Sequence, residues 1–104
     1  KKKKTATQGT SITTGVTLTA SSGVITCVNH TYPANDAIKF TLLNTAIGIN
    51  DVVVVSLQDG NESLSASVTK TTSGTCDISI RNGLDADVTA TVVVNFAVIQ
   101  VATS

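Results

Sequence analysis

His30 is the one histidine of this 104-residue chain, and Cys27 precedes it by three positions. A Cys-x-x-His pair can supply two zinc ligands, with Cys76 as a third. No fourth ligand is evident and Cys27 falls in a strand-like run, so the sequence favours an exposed loop histidine over a metal centre. A serine triad would need His30 beside one serine and one aspartate. No Gly-x-Ser-x-Gly elbow occurs, and 10 serines single none of themselves out. The glycines sit at turns, not in a phosphate-binding loop. Asp85 and Asp87, with Asp59 and Glu62, could hold calcium at a loop end. EF-hand spacing is absent, and solvated turn acids are the favoured reading. A lysine–asparagine isopeptide bond would call on Lys39 and Asn95, yet both fall opposite the main apolar parity of their strands. These residues give no catalytic, cofactor or metal site, and the expectation is a non-enzyme that needs no cofactor.

Cys27 and Cys76 are separated by 48 residues. Both fall in predicted strands, so a cross-sheet disulfide is one reading and two buried thiols the other. Asn29-His30-Thr31 and Asn61-Glu62-Ser63 match the glycosylation sequon, which in a Thr/Ser-rich chain is expected by chance.

The charges are unevenly placed. Formal net charge is zero, but Lys1, Lys2, Lys3 and Lys4 hold four of the seven positive charges. From residue 5 onward, Lys39, Lys70 and Arg81 stand against seven acids, a net −4. A mildly acidic body without a basic face or stacking aromatics makes a poor nucleic-acid binder, so no nucleic-acid partner is expected. The lysine run reads either as a solvated tail or as an electrostatic arm toward an acidic partner. The longest apolar stretch, Val92 to Ile99, is interrupted by Asn95 and is far short of the roughly 20 residues of a spanning helix, so no membrane partner is expected.

The elements that would carry such residues are strands. Thr occurs 18 times, and apolar and polar residues alternate almost throughout. Period-two alternation of β-branched residues fits sheet with one buried face. Residues 1–14 read as an extended arm, flexible or partner-bound, and 15–104 as a single domain. Strands are predicted at Val16–Ala20, Val24–Asn29, Ala37–Leu43, Asp51–Gln58, Ser63–Thr69, Thr75–Asn82 and Val88–Val101. His30 and Tyr32 fall in a loop, and Asp59-Gly60-Asn61 predicts a type I′ hairpin. The fold class is therefore all-β: an antiparallel sandwich, or a jelly-roll-like fold, of about seven strands. Residues 52–55 and 92–99 are apolar on both parities, which predicts either central strands or a subunit contact. Val52, Val54, Val93, Ala97 and Ile99 are the expected assembly surface, and self-association the expected mode of action.

The strand sequences also resemble a small β-sandwich module of tailed-bacteriophage virion proteins, especially phages of marine bacteria and cyanobacteria. The resemblance rests on Val16-Thr17-Leu18, Gly23-Val24-Ile25-Thr26, Ile38-Lys39-Phe40-Thr41-Leu42-Leu43-Asn44, Val52-Val53-Val54-Val55-Ser56, Ile78-Ser79-Ile80-Arg81-Asn82 and Val93 to Ile99, within residues 15–101. The two cysteines are not part of that pattern. The resemblance implies a virion-surface part: a capsid decoration (cement) protein, or a fibre or spike domain. It implies homotrimers bound to a capsid or tail subunit, and no catalytic residues. The alternative is a secreted or cell-surface bacterial pilin or adhesin subunit that assembles by strand contacts.

Overall fold

The computed structural model describes residues 4–60 and 63–100. Among them eight strands form and no helix: β1 (Lys4–Thr7), β2 (Val16–Thr17), β3 (Ser22–Tyr32), β4 (Ala37–Leu43), β5 (Val52–Asp59), β6 (Leu64–Thr72), β7 (Thr75–Asn82) and β8 (Val88–Ile99). They make two four-stranded sheets, ordered β1-β3-β8-β5 and β2-β4-β7-β6. Within each sheet the pairing is antiparallel except at one edge, where β1 runs parallel to β3 and β2 parallel to β4. The chain is thus a β-sandwich of mixed sheets. It is elongated, 48 × 24 × 23 Å, because the central strands of the first sheet, β3 and β8, are 11 and 12 residues long.

Parity explains the layering. Ile25, Phe40, Leu42, Ile78, Ile80, Val92, Val94 and Phe96 all face inward and are fully or almost fully buried. Full burial of each such side chain contributes about 1.5–3 kcal/mol. Gly23 is inward as well, opposite Phe96. A Cβ there would lie 2.8 Å from the Phe96 ring and 2.9 Å from Leu18 Cδ2, so the aromatic occupies space that only glycine leaves.

Several expectations need correction. The strand expected at Val16–Ala20 keeps only two residues, because Ala20 is tied instead to the Asn44 side chain. The strand expected at Val24–Asn29 continues to Tyr32, so His30 and Tyr32 are strand residues. Residues 4–14 are not a loose arm. Lys4–Thr7 forms a sheet edge, and Gln8 and Ile12 are buried. Residues 1–3 lie outside the described residues. No hairpin follows β5: Asp59 and Gly60 carry the chain from one sheet to the other, and Gly60 adopts φ +142°, outside type I′ geometry. The tight hairpin is the β6–β7 turn, where Gly74 adopts φ +89° and the Thr72 and Thr75 hydroxyls hydrogen-bond. Finally, β5 is an edge strand and not a central one.

Candidate functional site

Three buried side-chain amides hold the loops, and each occupies the inward position next beyond an inward-facing strand residue. Ala6 is followed two residues later by Gln8, Leu42 by Asn44, and on β7 Ile80 by Asn82. Gln8 Oε1 accepts from the Val28 amide at 3.2 Å, at the irregularity in β3 between Thr26 and Asn29. Its Nε2 donates to the Ile12 and Thr14 carbonyls at 2.7 and 2.9 Å. Asn44 Oδ1 accepts from the Ala20 and Ala46 amides at 3.1 and 3.0 Å, and its Nδ2 donates to the Ala20 carbonyl at 2.7 Å. Asn82 Nδ2 faces the carbonyls of Tyr32, Pro33 and Ala86 at 3.0, 3.2 and 2.9 Å, while its Oδ1 accepts from the Leu84 amide at 2.9 Å. Buried polar groups need partners, and these three find them among loop backbones. They are structural ties, not reactive groups.

The candidate reactive residues are dispersed. Cys27 and Cys76 are buried and unbonded, which overturns the disulfide reading. Cys27 lines the inner face of one sheet and Cys76 that of the other, each as a small apolar filler. Burial pushes both thiols up to about 11, a poor setting for a nucleophile or metal ligand. The His30 ring packs edge-on against Tyr32, with centroids 4.9 Å apart. Tyr32 is buried and its hydroxyl has no hydrogen-bond partner among the described residues; burial, with Cys27 nearby, moves its pKa upward. Asp85 accepts from Asn35 Nδ2 and Asp87 from the Ala34 amide, so both serve the loop that follows β3. Asp59 lies opposite Val93, away from that loop, and Glu62 lies outside the described residues. Among the described residues no group of three or more His, Cys, Asp or Glu could hold a metal ion. Lys39 and Asn95 lie in different sheets, on strands β4 and β8, and both fall on outward-facing positions, which removes the isopeptide pairing.

What the fold does bring together is the outer face of the first sheet. Val52 pairs with Ile99, Val54 with Ala97 and Ser56 with Asn95, while Thr26 of β3 pairs with Val93. Val52, Val54 and Ile99 are 48 %, 47 % and 52 % exposed; Val93 and Ala97 are half-buried on the same face. All five residues of the expected assembly surface therefore share one sheet face. The sequence reading missed Val24, a half-buried member of that face opposite Asn95, because Val24, Ile25, Cys27 and Val28 are apolar on both parities. Asn95 sits between Ser56 and Val24, and its Oδ1 is buried without a partner among the described residues. The second sheet's outer face differs. It carries Lys39, Lys70 and Arg81 among Ser and Thr, with Asp77 bonded to Thr41 and 3.9 Å from Lys39. Of the lysine arm, Lys1, Lys2 and Lys3 lie outside the described residues. Lys4 opens β1, where its Nζ approaches the Thr19 carbonyl at 3.4 Å.

No family model matches this chain, and neither does any curated protein or solved structure.

Proposed function

We propose that this chain is a non-enzymatic structural protein of a phage virion, either a capsid decoration (cement) protein or a fibre or spike domain on the particle exterior. It acts by homo-oligomeric assembly and by contact with a capsid or tail subunit. The observation that carries this reading is the apolar stripe of Val52, Val54 and Ile99 on the outer face of the first sheet, each about half exposed. Contiguous exposed apolar residues on a sheet face mark an interaction surface. The amides of Gln8, Asn44 and Asn82 are bonded to loop backbones and the two thiols are sealed in the interior, which leaves surface shape and apolarity as what the molecule presents. The strand resemblance supplies the virion setting and implies a trimer.

The test is the state of the purified full chain by sedimentation equilibrium and electron microscopy. Compact closed oligomers, or chain bound to particles, are the expected outcome. A monomer at every concentration contradicts the assembly reading, and unbounded linear polymers favour a pilin-type subunit.

A further inference from the structure

The four sheet edges are not alike. β1 is four residues long and begins with Lys4. β2 has two residues. β6 is interrupted by a register shift between Val68 and Lys70, with Ser65, Ser67, Thr69 and Lys70 exposed along it. Short length, lysine and bulges are the devices by which natural sheets prevent edge-to-edge pairing. β5 has none of them over Val52–Leu57. Its sequence there is Val-Val-Val-Val-Ser-Leu, with no charge and no proline, and its irregularity falls only after Leu57. Among the described residues, β8 is the only strand paired with it.

We propose that β5 pairs with β5 of a second copy, antiparallel about a two-fold axis, and joins the two first sheets into one continuous sheet. The occupant is a second copy because the strand is complementary to itself. Residues directly opposite in an antiparallel pair point to the same face, so only registers that match outward with outward positions are allowed. Three such registers exist near the strand centre. Placing Val55 opposite Val55 sets Asp51 against Asp59 and includes the irregularity, so like charges oppose it. Placing Val53 opposite itself pairs only three residues of β5. Placing Val54 opposite Val54 pairs Val52 with Ser56 and Val53 with Val55, and avoids both the acids and the irregularity. In that register Val54 meets its twin at the dyad. The outer stripe of Val52, Val54 and Ile99 then runs on into the same stripe of the partner. This contact is isologous and closes at two copies, so it differs from the three-fold contact that the resemblance implies. It deepens the assembly reading by naming the strand and the register, and rests on it.

The experiment uses the full chain carrying Val54→Cys. Opposite Cα atoms in an antiparallel pair lie roughly 4.5–5.5 Å apart, within disulfide reach. The buried Cys27 and Cys76 are too weakly acidic to interfere at pH 8. Mild oxidation is expected to give a covalent dimer from Val54→Cys and none from Ser67→Cys on β6. Val54→Lys, at a half-exposed position and with its fold checked by circular dichroism, is expected to weaken dimerisation at least ~10-fold, because it opposes two ammonium groups. An oligomer, dimeric or trimeric, that Val54→Cys does not cross-link and Val54→Lys does not weaken overturns this contact and leaves the assembly reading intact. A monomer at all concentrations overturns both.

Discussion

Asn82 makes four side-chain hydrogen bonds, and its removal is expected to loosen one end of the sandwich. Its amide nitrogen serves carbonyls of the loops on either side, and its oxygen holds the Leu84 amide. Asn82→Ala removes the donor for Tyr32 and Ala86, the shared donation to Pro33 and the acceptor for Leu84. A net hydrogen bond is worth about 1 kcal/mol, and a buried partner left unpaired costs about 1–3 kcal/mol. Because Asn82 is fully buried, water cannot replace it without a local opening. The three principal bonds then sum to a loss of about 3–4 kcal/mol. That is a large share of the ~5–15 kcal/mol typical of a whole domain. With a urea slope of about 1–3 kcal/mol per M, the midpoint should fall by roughly 2 M, read by far-UV circular dichroism. Asn82→Asp should be worse at neutral pH, since a carboxylate would face three carbonyl oxygens. The exposed Asn50 serves as control, and Asn50→Ala should stay within about 0.5 kcal/mol. A loss for Asn82→Ala no larger than that of Asn50→Ala would refute the assignment of Asn82 as a loop tie.

Other perturbations separate packing from polar satisfaction. Gly23→Ala drives a methyl into Phe96 and Leu18 and should cost about 1–3 kcal/mol in the same denaturation assay; an unchanged midpoint would show that Phe96 moves freely. Tyr32→Phe deletes a buried hydroxyl that has no partner, so stability should hold or rise by about 1 kcal/mol, and a clear loss would reveal a partner for that oxygen. Cys27 and Cys76 should resist thiol reagents at pH 8 in the native protein and react at once in urea. Their folded values, raised from 9.0 to about 11, keep the thiols protonated while the unfolded chain ionises. Their contribution is therefore full below pH 9 and is lost as pH rises toward 11, which pH-dependent denaturation would register as a falling midpoint in that window.

The sheet content and the inner layer were legible in the chain, because period-two alternation fixes which side of each strand is buried. Ala37–Leu43 and Thr75–Asn82 form with the bounds that their alternation predicts. Parity also groups Val93 with Ala97 and Ile99, and Val52 with Val54, while the β5–β8 pairing joins the two groups on one face. What parity cannot convey is which strands are neighbours. Asp59-Gly60 has hairpin chemistry, yet the chain crosses between sheets there because β5 pairs with β8 and β6 with β7. A run apolar on both parities reads as central, but β5 lies at an edge with its outer valines half exposed. Residues 4–14 looked like an arm because their polarity hid two inward anchors, Gln8 and Ile12. The amide ties could have been found: Asn44 and Asn82 each extend the inward series of the preceding strand by one step.

Hydrogen–deuterium exchange of the wild-type chain, followed over a range of protein concentrations, tests the assembly surface most directly. Pairing through β5 predicts that the alternate amides of Val52–Ser56 that do not donate to β8 become more protected as concentration rises, while those of the β6 edge do not change. Exchange along β5 that is independent of concentration, in a sample shown by sedimentation to be oligomeric, would contradict it.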